Sequence, residues 1–183
     1  MQEQDYILAF QKGDFEAFGK LYETYIDQIF AFIFRKTGQQ ELAEDLCSQV
    51  WMKAMEALER FETQEGASFT SWIYRIAQNT IIDYYRSKKE QVDIEEIAEI
   101  GFHENIAECI DNRDRLKQVE MFLETLKPIE REIVILRVWD DLSYKEISEI
   151  TGKTQDNCKQ IYKRSLDKIQ ANVTLLLLLM FFF

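Results

Sequence analysis

Leu142-Ser143-Tyr144-Lys145-Glu146-Ile147, followed closely by Ile150-Thr151-Gly152-Lys153-Thr154-Gln155, decides the fold of this chain. Ser143 and Glu146 are spaced as the N-cap and N3 residues of a helix, where each side chain bonds the other's backbone N–H. Leu142 and Ile147 flank that frame as a hydrophobic staple. Gly152 supplies a tight turn and Thr154 opens another helix. Two short helices across a glycine-bearing turn, the second one basic, predict a helix-turn-helix.

In that second helix Cys158, Tyr162, Ser165 and Ile169 fall on one side, with Leu166 beside them. Gln155, Asp156, Lys159, Gln160, Lys163, Arg164 and Lys168 are left to face outward. A helix that reads DNA needs this division. Its apolar back docks, Gln, Asn and Arg pair with base edges, and Lys neutralises phosphate. A surface helix with a basic solvated face would look much the same, and the capped helix and turn before it are what favour DNA. Upstream, Leu116, Val119, Phe122, Leu123 and Leu126 make one stripe. Pro128 then stands at the first turn of a helix that carries Ile129, Ile133, Val134 and Leu136 inward until Asp140-Asp141.

The first half of the chain reads as a bundle of three long helices. Asp14 is an N-cap for a helix with Phe15, Phe18, Leu21, Tyr22, Tyr25, Ile26, Ile29, Phe30 and Ile33 on its broad apolar stripe, ended by Gly38. A second runs from about Glu41, with Leu42, Leu46, Val50, Ala54, Leu58 and Phe61 inward. After a polar loop at 63–67, a third begins near Ser68 and buries Phe69, Trp72, Ile73, Ile76 and Ile81. Along it, Arg75, Arg86, Lys88 and Lys89 face the lone acid Asp83, interleaved with Trp72, Tyr74, Tyr84, Tyr85 and Asn79. Cations mixed with rings suit single-stranded nucleic acid, whose bases stack while the backbone is held by charge.

The formal net charge of −11 and a pI near 4.7 argue against nucleic acid only until the charge is located. Residues 91–116 hold Asp93, Glu95, Glu96, Glu99, Glu104, Glu108, Asp111 and Asp114 against Arg113 and Arg115, and residues 117–183 are balanced. The expected organisation is all-α, with two small helical domains joined by an acidic linker and the helix-turn-helix in the second. The boundaries are 1–89, a linker at 90–114, 115–171, and an apolar tail at 172–183. One proline and six glycines agree with a helical chain.

Cys47, Cys109 and Cys158 form no close pair, and His103 is the single histidine, so neither a disulfide framework nor a metal site is expected. With no signal peptide read at the polar start, reduced thiols place the protein in the cytoplasm. There is no phosphate-binding glycine loop and no nucleophile with a plausible base. No enzymatic activity and no cofactor are expected.

Taken together, these residues resemble a bacterial RNA polymerase sigma factor of the extracytoplasmic-function (ECF) group. The resemblance spans about residues 10–170. It rests on Phe18-Gly19-Lys20-Leu21-Tyr22, on Ala43-Glu44-Asp45-Leu46 leading to Val50-Trp51-Met52-Lys53-Ala54, and on the stretch from Phe69-Thr70-Ser71-Trp72 to Gln78-Asn79 with Asp83 and Arg86. In the second domain it rests on 123–128, on the Leu142–Ile147 frame and on Lys159 through Arg164.

The resemblance implies that Asp45, Leu46, Gln49 and Trp51 dock on the clamp coiled coil of the polymerase β′ subunit. It implies that Trp72, Arg75, Asn79, Asp83 and Arg86 open the −10 element and hold its non-template strand, with the loop at 62–68 capturing a flipped base. Thr154, Gln155, Asn157, Lys159, Gln160, Lys163 and Arg164 would read the −35 element, and the acidic linker would enter the polymerase's RNA path. Core polymerase and promoter DNA are the implied partners, with an anti-sigma factor beside them.

Two features depart from the family's pattern. The turn into the last helix reads Thr154-Gln155-Asp156-Asn157-Cys158 where the family more often has small residues and a valine, and Asp156 favours the helix dipole but would repel a nearby phosphate. The tail at 173–183 rises only about 16 Å as a helix, half of a roughly 30 Å bilayer core. It cannot span a membrane alone, and a membrane contact ranks behind packing on the second domain or on a partner. A stand-alone helix-turn-helix regulator, binding a palindrome unaided, is the alternative, and a helical adaptor without nucleic acid is a third reading.

Overall fold

The computed structural model describes residues 3–61, 68–88 and 123–170 apart from Glu124, and of Ile169 and Gln170 the backbone alone. The chain divides into two compact units between Asp93 and Ile94. Among the described residues there are seven helices and no strand. The expected boundaries at 89–90 and 114–115 lie outside the described residues. So do the acidic linker, the stripe of Leu116, Val119 and Phe122, His103, Cys109, the loop at 62–67 and the apolar tail.

The first unit contains α1 (Glu3–Gln11), α2 (Phe15–Thr37), α3 (Gln40–Leu58) and α4 (Phe69–Lys88). The Asp14 carboxylate accepts from Glu16 N at 3.1 Å, satisfying one orphan donor of α2. At the other end Gly38 takes φ 64°, and its N–H reaches Phe34 O at 2.8 Å. Helices α2, α3 and α4 pack on one another around Leu21, Ile29, Ile33, Leu46, Val50, Leu58, Ile73 and Tyr74, all almost fully buried.

A fourth helix corrects the three-helix expectation. Tyr6-Ile7-Leu8-Ala9-Phe10 is an unbroken apolar run with no helical period, so α1 carries no amphipathic signal. Nine residues are too few to hold a helix alone, and packing supplies the rest. Ile7 and Phe10 are buried, with the Phe10 ring against Phe15 and Phe18.

The second unit contains α5 (Pro128–Val138), α6 (Tyr144–Thr151) and α7 (Gln155–Gln170), each packed on the other two. Ser143 Oγ accepts from Glu146 N at 3.3 Å, and Ser143 N donates back to the Glu146 carboxylate at 2.8 Å. Leu142 and Ile147 are both buried, completing the staple. Gly152 closes α6 at φ 67°, a conformation that a side chain would strain. Ile133, Val134, Leu136, Ile147, Ile150 and Cys158 line the interior between these helices.

Candidate nucleic-acid interface

Positions 72, 75, 79, 83 and 86 of α4 are three or four residues apart, so their side chains share one stripe. Arg75, Asn79, Asp83 and Arg86 are exposed along it, while Phe69, Ile73, Tyr74, Ala77, Thr80 and Ile81 face the interior. Trp72 heads the stripe half-buried, its ring 4.8 Å from Phe61 and 5.4 Å from Phe69. Those two ring contacts fix the indole, which stays partly exposed. Asp83 is the one acid of α4, and Lys53 of α3 lies 4.0 Å away while donating to Thr80 Oγ1 at 3.1 Å. The lysine partly offsets the Asp83 charge, the two side chains both remaining exposed. Further along, Tyr84 and Tyr85 meet at 5.2 Å, with the Lys88 ammonium 4.8 Å above Tyr84. Burial first, then Tyr84, push the Tyr85 phenol up against the opposing pull of Lys88, so it stays a neutral donor at pH 7.

The second cluster lies on α7. Cys158 and Ser165 are fully buried, and Tyr162 meets Tyr144 at 6.0 Å, so the expected back face is the docked one. Arg137 in turn covers the Tyr144 ring at 5.4 Å. Gln155, Asn157, Lys159, Gln160, Lys163 and Arg164 are exposed. Thr154 is exposed too, and its Oγ1 accepts from Asn157 N at 3.2 Å, which makes it the cap of the helix. Asp156 lies 3.4 Å from Lys159, so part of its charge is met within the helix. At the far end Lys168 reaches the Glu130 carboxylate at 2.7 Å, and Glu130 also accepts from Lys127 N at 3.1 Å. One carboxylate thus caps α5 and ties down the end of α7.

The four residues expected to meet the polymerase separate in the structure. Asp45 and Gln49 are exposed, whereas Leu46 is wholly buried and Trp51 is 5% exposed. Leu46 belongs to the row with Val50 and Ala54 that closes the bundle. Trp51 is wedged against Phe18 at 5.9 Å and Tyr22 at 4.9 Å. Its ring lines a groove of about 480 Å³ between α2 and α3, together with Phe18, Tyr22, Ile26, Phe30, Cys47, Met52 and Met55 and the polar Asp27, Glu44 and Ser48. Burial pushes the Cys47 thiol up to about 11 despite the opposing effect of Trp51, so it is an inert lining group. Tyr22, Met52 and Met55 are exposed at the groove. Met52 and Met55 join the expected polymerase-facing residues only in the folded protein. The signal was there, because Met52 continues the row of Asp45 and Gln49 on a face otherwise polar.

Two helical units, one with a cationic aromatic stripe and one with a capped helix-turn-helix, define a nucleic-acid-binding protein of two modules. The model of sigma-70 region 2 matches residues 21–91, and that of sigma-70 region 4 matches residues 116–169. The chain is 29% identical over 164 residues to the ECF RNA polymerase sigma factor BldN of Streptomyces coelicolor, covering 85% of this chain and 60% of that protein. It is 27% identical over 162 residues to the RNA polymerase sigma factor YlaC of Bacillus subtilis, covering 84% and 90%. The fold is similar to that of CnrH, solved with the cytosolic domain of CnrY, at a TM-score of 0.65, 20% identity and coverage of 94% and 97%. It is also similar to the sigma factor RpoE of Bartonella quintana, solved with the anti-sigma factor NepR, at 0.60, 20%, 86% and 96%. The chain belongs to the sigma-70 family, as an RNA polymerase sigma factor of the ECF group. Sigma factors bind core RNA polymerase and promoter DNA, and direct promoter-specific transcription initiation.

Proposed function

We propose that this sigma factor divides its work among three surfaces. Asp45, Gln49 and Met52 on the outer row of α3, with the groove lined by Tyr22, Trp51 and Met55, dock on the β′ clamp of core polymerase. Leu46 acts there only from within, by holding α3 in place. Trp72, Arg75, Asn79 and Arg86 hold the non-template strand of the −10 element, with Asp83 balanced by Lys53. Gln155, Asn157, Lys159, Gln160, Lys163 and Arg164 read the −35 element, and Thr154 starts their helix. The loop at 62–68 takes a flipped base, and the acidic stretch at 90–114 enters the RNA path. The observation that carries this reading is the α4 stripe, where cations and a half-open tryptophan share one exposed face in a chain of net charge −11.

The protein acts as a cytoplasmic specificity factor and catalyses nothing itself. An anti-sigma factor is the partner that keeps the polymerase-docking groove covered when transcription is not wanted, because a groove edged by exposed Tyr22, Met52 and Met55 is costly to leave in water.

The test is abortive transcription by core polymerase, with and without the protein, on a pool of promoter fragments. Initiation that depends on the protein, from fragments sharing −35 and −10 elements, supports the reading. No initiation, with tight binding of the free protein to a palindrome, would replace it with a stand-alone regulator.

A further inference from the structure

Helix α1 lies before the region 2 match, which begins at residue 21. Its two ends reach two different backbone termini. Near its carboxyl end, the Gln11 side-chain amide donates to Leu58 O at 3.0 Å and to Phe61 O at 2.7 Å. Leu58 ends α3, where its carbonyl also accepts from Phe61 N at 3.1 Å, and Phe61 follows in the turn that leaves the helix. At its amino end, Glu3 accepts from Phe69 N at 3.1 Å, the first residue of α4. The same carboxylate accepts from the Tyr25 hydroxyl, and Thr70 Oγ1 donates to Tyr25 at 3.2 Å. A carboxylate at a helix N-terminus meets both the orphan donors and the positive end of the dipole.

From Glu3 to Gln11 a helix rises about 12 Å. That rigid length joins Phe61 to Phe69, whose rings meet each other at 6.5 Å and both contact Trp72. The indole is therefore seated on two rings whose backbones are held by one short helix.

We infer that α1 is a clasp, and that Glu3 and Gln11 are positioning residues that set Trp72 for the −10 strand. This rests on the assignment of the α4 stripe to that strand. Neither side chain touches DNA; each acts through the backbone of Phe61 or Phe69.

The experiment uses full-length protein assembled with core polymerase. It measures binding of a fluorescent single-stranded −10 non-template oligonucleotide, and separately the affinity for core polymerase. The E3A/Q11A double variant should bind the strand about tenfold more weakly, the scale of losing a charged and a neutral hydrogen bond. Its affinity for core should stay within about twofold, because neither side chain lines the groove between α2 and α3. E3Q should recover most of the Glu3 contribution, since its amide oxygen still accepts from Phe69 N. In a W72A background the E3A/Q11A loss should largely vanish, because the clasp acts through that ring.

Three results overturn the inference: wild-type strand binding by E3A/Q11A, equal losses of strand and core affinity, or an undiminished loss in the W72A background. If the unsubstituted holoenzyme itself binds no −10 strand, the assignment of the α4 stripe fails, and the inference with it.

Discussion

Arg164 and Lys163 are adjacent on α7, both exposed, and differ in what they can recognise. Guanidinium can pair with two acceptors of a guanine, whereas ammonium is a point charge suited to phosphate. We expect R164A to lose about 1–3 kcal/mol on its preferred −35 sequence and to relax the preference there. K163A should weaken all sequences alike and lower the salt dependence by about one phosphate contact. Holoenzyme titrations on a −35 substitution series at two salt concentrations separate the two.

Glu130 supplies a second prediction, about pH. Burial raises its pKa, but the Lys168 and Lys127 hydrogen bonds and charges outweigh that and hold it below the usual carboxylate range. A depressed folded pKa means the stabilisation is complete above the unfolded value and is lost as pH falls through the folded one. With Lys168 half-exposed, the gain is under about 1 kcal/mol. The wild type should therefore exceed E130Q in melting temperature near pH 7, and the difference should close at acid pH.

At the level of the helices, burial separates residues that look alike in sequence. Asp45, Leu46, Gln49 and Trp51 stand within two turns of α3, yet Leu46 and Trp51 face inward and Asp45 and Gln49 outward. L46A should cost about 2–5 kcal/mol of stability as a core truncation. D45A should move stability by less than about 0.5 kcal/mol while weakening the complex with core polymerase. Denaturant titration and a core-binding assay, run on both variants, check this. Helix ends were the most legible elements, because Asp14, Gly38, Ser143 with Glu146, and Gly152 act through local hydrogen bonds or backbone conformation that need no distant partner. Helix α1 was illegible for the opposite reason. Its bonds run from Gln11 to Phe61 and from Glu3 to Phe69, across separations that no local period can reveal.

On the scale of the whole molecule, charge governs how DNA binding is used. A chain of net −11 repels the phosphate backbone at long range, even with cations arrayed on α4 and α7. We expect the free protein to give no measurable specific binding to a promoter duplex at physiological salt, and the holoenzyme to bind it. Polymerase adds contacts and converts the second module's binding into an intramolecular event. Fluorescence anisotropy with and without core polymerase tests this, and tight binding by the free protein would contradict it.

Sequence alone determined the all-helical class, the helix-turn-helix and the outward face of α7. Each of these is a matter of local spacing, caps and turn residues. Tertiary structure decided which α3 residues are surface, that Lys53 answers Asp83, that Met52 and Met55 edge a groove beside Trp51, and that α1 bonds the backbones of Phe61 and Phe69, whose rings meet Trp72. These depend on which helices become neighbours, and burial is a property of the neighbour as much as of the residue.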